Sequence, residues 1–118
     1  MQSDDQPQSI TRISSELLET ARSASSGRAA RTLYGGQAHD LRQTLIAIAE
    51  GRSLGEHDSP GEATLQVLDG SVRLSADTES WTADAGDHLV IPPSRHDLHA
   101  QTDAVVLLTV ATRAPRPD

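Results

Sequence analysis

The sequence predicts an all-β fold, a sandwich or barrel, preceded by one N-terminal amphipathic helix. Short segments with alternating apolar residues recur between residues 28 and 111, separated by turn signals at intervals of roughly 8–12 residues. One amphipathic stretch with apolar residues at helical spacing lies in the N-terminal region. The segments 41–49 and 104–110 are apolar on both faces, so each needs a covering layer on either side. A length of 118 residues suits a single domain.

The helix is predicted over residues 12–27, after a disordered tail at 1–11. Five apolar residues fall on one face of it: Ile13, Leu17, Leu18, Ala21 and Ala24. Thr11 or Ser14 is expected to cap its start, and Gly27 is expected to stop it. The expected role of this helix is to pack against a sheet or a partner subunit.

Eight strands are predicted after the helix. They span residues 28–35, 41–49, 63–68, 71–75, 80–83, 88–91, 97–101 and 104–111. The segment 41–49 fits a helix or a buried strand, and the alternation of β-branched residues from Thr44 to Ile48 favours the strand. Together the strands define a barrel domain over residues 28–112, followed by a frayed end at 113–118.

Turn signals separate the predicted strands and suggest how some of them pair. Asp69-Gly70 is a strong hairpin signal, which predicts that the segments on either side of it pair with each other. The last two segments are expected to pair across Thr102-Asp103. Pro92-Pro93 ends the sixth strand, because proline cannot donate a hydrogen bond to a ladder.

The composition excludes several classes of chemistry. Cysteine and lysine are both absent, which rules out disulfides, thiolate ligands, cysteine nucleophiles and Schiff bases on lysine. The formal charge of −7 argues against nucleic-acid binding, since that affinity rests on neutralising phosphates. The polar, acidic N-terminus has no features of a secretory signal, and no apolar run approaches the roughly 20 residues of a membrane span. We therefore expect a cytoplasmic protein without nucleic-acid or membrane partners.

The aliphatic composition also predicts self-association. Phe is absent, and there is one Trp and one Tyr, so the core must be built from Leu, Val, Ile and Ala. One face of each doubly apolar strand can fill a barrel, whereas the other needs the helix, a second sheet or a partner. We therefore predict a homodimer.

The segments around two glycines carry the most distinctive spacing. Five residues separate Gly51 from His57, and five separate Gly86 from Pro92, with an Asp-Gly turn lying between the two segments. Across residues 41–111 this pattern resembles the cupin family. The resemblance implies a double-stranded β-helix, that is, a jelly-roll barrel of the type also called RmlC-like.

The resemblance also implies a metal site inside the barrel, held in the family by three histidines and one glutamate. Here His57 stands at the first histidine position, while Ser59 and Ala63 stand at the second histidine and the glutamate positions. His96 fits the last histidine position if its loop is one residue shorter. Glu62, next to the glutamate position, would complete a set of two histidines and one carboxylate for iron, manganese, nickel or zinc.

Three functional hypotheses follow. The leading one is a non-catalytic barrel that binds or senses a small organic molecule through His57, Ser59, Arg95 and His96. The second is a metal-dependent enzyme of the dioxygenase or isomerase type that uses His57 and His96, which rests on family analogy alone. The third is a structural dimer whose barrel is filled by its own side chains. No catalytic residue is assigned.

Overall fold

A computed structural model of the chain describes residues 6–56 and 61–111. Within them one helix and eight strands follow in order: α1 Ile10–Ser23, β1 Arg28–Tyr34, β2 Leu41–Ile48, β3 Glu62–Asp69, β4 Ser71–Ala76, β5 Glu79–Asp84, β6 His88–Val90, β7 His96–Ala100 and β8 Ala104–Ala111. They form a five-stranded sheet, β1-β2-β8-β3-β6, and a three-stranded sheet, β5-β4-β7. The predicted fold is confirmed, and no strand end differs from its predicted position by more than one residue.

Helix α1 begins and ends earlier than predicted. It starts at Ile10 because the hydroxyl of Ser9 accepts a hydrogen bond from a backbone N–H in the first turn, at 3.2 Å. The predicted caps, Thr11 and Ser14, therefore lie inside the helix, and part of the predicted N-terminal tail is helical. The helix ends at Ser23, where the next residue adopts an extended conformation.

Strands β2 and β8 are apolar on both faces because each lies between two apolar layers. In β2, Leu45 contacts the helix, and the next residue, Ile46, contacts the barrel interior. The outer layer joins α1 to the five-stranded sheet and contains Ile13, Leu17, Leu18, Ala21, Leu45, Ala47 and Val105. The inner layer lies between the two sheets and is built from the residues of β2, β3, β4, β5, β7 and β8 that face the interior, together with Ile91, which follows β6. Burial of each large aliphatic side chain contributes about 1.5–3 kcal/mol.

Two predicted strand pairings are wrong. Strands β3 and β4 follow each other across Asp69-Gly70, but β3 pairs with β6 and β8, whereas β4 pairs with β5 and β7. Strands β7 and β8 likewise belong to different sheets. Both turns carry the chain from one sheet to the other, and they lie side by side: the backbone N–H of Ser71 donates to the hydroxyl of Thr102 at 3.0 Å.

The predicted C-terminal boundary of the barrel domain falls beyond the last described residue. Residues 113–118, predicted as a frayed end, lie outside it. The helix of the described residues is not long and apolar enough to cross a membrane.

Candidate functional site

The barrel interior contains one of the predicted site residues, His96. This residue opens β7, and its 5 % exposure makes it the only buried polar or charged residue in the described part of the chain. Alternation along β7 places it on the same face as Leu98, whose side chain belongs to the inner layer. The Nδ1 of His96 lies 3.0 Å from the carbonyl oxygen of Ser94 and donates to it, because a carbonyl oxygen can only accept.

The space beside His96 is small and almost entirely apolar. A cavity of about 20 Å³ is lined by Ile46, Leu54, Leu65, Leu74, Ile91, His96, Leu98 and Leu108. One water needs roughly 10–15 Å³, whereas a site for a small organic molecule usually offers roughly 300–1,000 Å³. Aliphatic side chains therefore fill the described interior, and the space that remains is about the size of one water.

The predicted carboxylate ligand does not face this interior. Glu62 is the exposed first residue of β3, and the next residue, Ala63, is buried in the inner layer. Because neighbouring strand residues point to opposite faces, Glu62 lies on the outer face of the sheet, opposite Ala111 of β8. The structure thus does not bring Glu62 to His96.

Arg95, predicted as a ligand contact, lies at the surface. Its side chain is 58 % exposed, and its Nε lies 3.6 Å from a carboxylate oxygen of Glu56. Its guanidinium also donates to the backbone carbonyl of Glu56 at 3.3 Å. An exposed ion pair of this kind contributes little stability. His57 and Ser59 lie outside the described residues.

The donors of the described residues do not fit a metal ion of the cupin type. Residues 6–56 and 61–111 contain no group of three or more histidine, aspartate or glutamate residues that could hold one. Of the predicted ligands within them, His96 alone faces the interior, as a single imidazole among aliphatic side chains. A site that combines His96 with His57 stays a prediction.

A second polar cluster lies on the outer face of the three-stranded sheet. The Nδ1 of His99 and the hydroxyl of Ser53 are 2.9 Å apart, and the carboxylate of Asp97 accepts from the backbone N–H of Gly55 at 2.9 Å. Asp97 and His99 thus both bond to the loop that follows β2.

Among the described residues, Asp103 has the pKa that is most clearly shifted from its usual value. Its carboxylate accepts from the backbone N–H of Glu50 at 2.8 Å and from the Nε of Arg22 at 2.7 Å. The backbone hydrogen bond, followed by the bond to Arg22, lowers the pKa of Asp103 below its usual value of 3.8. This residue ties the turn between β7 and β8 to the helix and to the end of β2.

Comparison with known proteins identifies the architecture. No protein-family model matches this sequence, and no curated protein does. Among solved structures, a conserved protein of unknown function from Streptococcus pyogenes is 29% identical over 80% of each chain, with a TM-score of 0.67. A cupin superfamily protein from Desulfitobacterium hafniense is 14% identical over 92% of this chain and 93% of that chain, with a TM-score of 0.72.

A larger enzyme shares the same fold. A salicylate 1,2-dioxygenase from Pseudaminobacter salicylatoxidans is 18% identical over 85% of this chain but only 33% of that chain, with a TM-score of 0.70. These likenesses define the two packed sheets as a jelly-roll barrel. The chain is a small protein with the cupin fold.

Proposed function

We propose that this chain is a non-catalytic cupin in which the barrel interior is a packed core and the protein acts as a structural homodimer. The observation that carries this proposal is the interior cavity of about 20 Å³, lined by seven aliphatic side chains and His96. A catalytic or ligand-binding barrel needs free space for its substrate. Here the same volume is occupied by the inner layer that joins the two sheets.

The proposed dimer contact is the part of the five-stranded sheet that α1 leaves uncovered. One row of residues crosses this outer face through all five strands: Tyr34, Gln43, Thr109, Thr64 and Val90. Tyr34 is 42% exposed and Val90 is 71% exposed, and Leu41 on the same face is 44% exposed. Most of the large exposed apolar side chains of the described residues therefore share this surface, which a second copy would cover.

A charge placed on this surface should break the dimer. Leu41→Glu buries a carboxylate against apolar side chains of the partner, and we expect it to weaken the dimer at least about tenfold. Trp81→Glu is the matched control, because Trp81 is 39% exposed but belongs to the three-stranded sheet. Sedimentation equilibrium measures both. A parent chain that is monomeric at tens of micromolar, or a Leu41→Glu variant that dimerises like the parent, would contradict the proposed contact.

A second candidate function is the binding of a small organic molecule in the barrel. It is favoured by His96, a buried imidazole in an otherwise apolar interior, with Arg95 adjacent in sequence and His57 and Ser59 as further predicted contacts. A buried polar side chain in an apolar pocket is a frequent feature of ligand sites. This candidate requires the interior to open beyond the described cavity.

Salicylate, the substrate named for one structural neighbour, distinguishes the two candidates. The packed-core proposal predicts no saturable binding of salicylate by calorimetry, because the cavity holds about one water. The second candidate predicts saturable binding that is lost in His96→Leu, which removes the imidazole and keeps the apolar volume. Binding of that kind would replace the packed-core proposal.

The other sequence-based expectations stay predictions. The metal-dependent enzyme depends on His57, which lies outside the described residues, and the described donors do not support it. The cytoplasmic location and the exclusion of nucleic-acid and membrane partners rest on the sequence alone.

A further inference from the structure

Strand β1 lies at one edge of the five-stranded sheet. It pairs with β2 along one side, and no other described strand lies beside it. The backbone groups of alternate residues in an edge strand point away from the sheet, where they can bond to an added strand. Residues 30–32 are all exposed, and the small side chains of Ala30 and Thr32 leave this backbone accessible. The edge of β1 is therefore a candidate docking site for an extended chain.

The hydrogen bonds at the start of β1 show which backbone groups face outward. The carbonyl of Gly27 accepts at 2.8 Å from the N–H of the first residue after β2, so it points towards β2. The groups of the next residue, Arg28, point outward: its N–H donates to the hydroxyl of Ser26 at 3.4 Å, and its carbonyl accepts from that hydroxyl at 3.2 Å. Alternation along the strand gives Ala30 and Thr32 the same outward direction.

Side chains of the same chain cap both ends of this edge and leave its middle open. The hydroxyl of Ser26 caps one end, and at the other end the Nε2 of Gln8 donates to the carbonyl of Leu33 at 3.1 Å. Within residues 6–56 and 61–111, no hydrogen bond reaches the outward backbone groups of Ala30 or Thr32. An added strand would find its free donors and acceptors there.

The other strand edges of the described chain are less suited to docking. Strand β6 has three residues and is followed one residue later by two prolines, which cannot donate to a ladder. The free edge of β7 is bonded to the loop after β2 through the N–H groups of Gly51 and Leu54. Strand β5 begins and ends with carboxylates, Glu79 and Asp84. Strand β1 has seven residues and no carboxylate.

Charge complementarity indicates what kind of chain would add to β1. Strands β1 and β2 carry three arginines, Arg28, Arg31 and Arg42, and no acidic residue, in a chain whose formal charge is −7. The ion pair of Arg31 with Glu16, at 3.5 Å, is exposed on both sides and offsets its charge only weakly. We propose that the edge of β1 binds an extended acidic peptide, which adds as a sixth strand to the five-stranded sheet.

Titration with matched peptides tests this proposal. The probe is acetyl-Glu-Val-Glu-Val-Glu-amide. One matched peptide has Lys in place of Glu, which reverses the charge, and the other is the acidic peptide with all backbone amides N-methylated, which blocks strand pairing and keeps the charge. Each is titrated into the full ¹⁵N-labelled chain. The acidic peptide should give saturable amide shifts at Ala30 and Thr32, and both matched peptides should bind at least about tenfold more weakly.

Two variants test the backbone and the charge separately. Thr32→Pro removes an N–H that points away from β2, so we expect the sheet to form and the peptide affinity to fall about tenfold, the value of one hydrogen bond of about 1.4 kcal/mol. Thr32→Val keeps this N–H and should bind like the parent. Arg31→Gln should weaken binding about two- to fivefold, whereas Arg73→Gln, at an exposed position of the three-stranded sheet, should not.

The proposal is overturned if the acidic peptide gives no saturable shifts at Ala30 and Thr32, whether a second copy, residues 1–5 or nothing covers the edge. Shifts at these two amides on concentrating the chain alone would assign the edge to a second copy instead. The proposal also fails if either matched peptide binds as tightly as the acidic one, or if Thr32→Pro and Arg31→Gln both bind it like the parent.

Discussion

At the scale of single residues, His96 is the predicted ligand that lies inside the described barrel. Its Nδ1–H is bonded to the carbonyl of Ser94, and the side chains beside it in the cavity are aliphatic. Within residues 6–56 and 61–111 it is the one imidazole at this cavity, and a single imidazole does not supply the several donors that hold a divalent ion; the predicted co-ligand His57 lies outside these residues. The carboxylate that would have joined it, Glu62, faces the opposite side of the sheet.

Asp103 makes stability depend on pH in the acid range. Its pKa is lowered in the folded chain, so its contribution is fully present above the usual value of 3.8 and is lost as the pH falls through the folded-state pKa. At neutral pH, Asp103→Asn should lower the free energy of unfolding by about 1 kcal/mol, because it removes the charged bond to Arg22.

Urea unfolding at a series of pH values measures this effect. The difference between the parent and Asp103→Asn should shrink below pH 3.8, because the carboxylate becomes protonated first in the unfolded chain and, at lower pH, in the folded chain. Glu19→Gln, an exposed change on α1, should show no such dependence. A difference for Asp103→Asn that stays constant down to strongly acid pH would contradict the assigned cause.

At the scale of elements, the turns that cross between sheets are tightly packed. Gly70 has a φ of 78°, a conformation that strains any other residue, and an added Cβ would collide with the carbonyl oxygen of Asp103 in the neighbouring turn. Gly86 has a φ of 96° but has no atom within 4 Å of that position. A side chain at Gly86 would therefore cause backbone strain alone, whereas one at Gly70 would cause the same strain and a steric collision.

Alanine substitutions should therefore differ in cost. Gly86→Ala should destabilise the chain by about 1–2 kcal/mol through its left-handed backbone alone. Gly70→Ala carries the same strain and adds a cost of about 1–3 kcal/mol for displacing the turn that contains Asp103. Thermal or urea unfolding of both variants gives the comparison. Equal costs for the two would show that the crossing turns are not in contact.

The strands were predictable from the sequence, but their pairing was not. Alternation and turn glycines define where each strand begins and ends, so all eight are found within one residue of their predicted ends. A turn such as Asp69-Gly70 fixes only the local backbone. Whether the next strand pairs with the previous one or enters the other sheet depends on contacts distant in sequence, which a local signal does not contain.

The candidate site was predictable only in part, for the same reason. The resemblance around Gly86 and Pro92 implied His96 at the last histidine position of the family's site, and the side chain of His96 lies inside the barrel. Glu62 was predicted wrongly, because a shift of one residue along a strand moves a side chain to the opposite face of the sheet.

At the scale of the whole molecule, the proposed packed core rests on two apolar layers. The outer layer attaches α1 to the five-stranded sheet, and the inner layer fills the space between the sheets. The remaining interior cavity is about 20 Å³. The size of that cavity depends on how eight side chains from five strands and two loops meet, which is why the sequence left a filled barrel as one of three hypotheses.

Benzene binding to the parent and to Leu74→Ala tests this central claim most directly. Leu74 is 1% exposed and lines the interior cavity, so its truncation should open an apolar space of the kind that binds benzene in other proteins. The methyl chemical shifts of Leu65, Leu98 and Leu108 report on binding. Benzene should bind saturably inside the variant and not inside the parent. Saturable shifts of the same methyl groups in the parent would contradict the packed core.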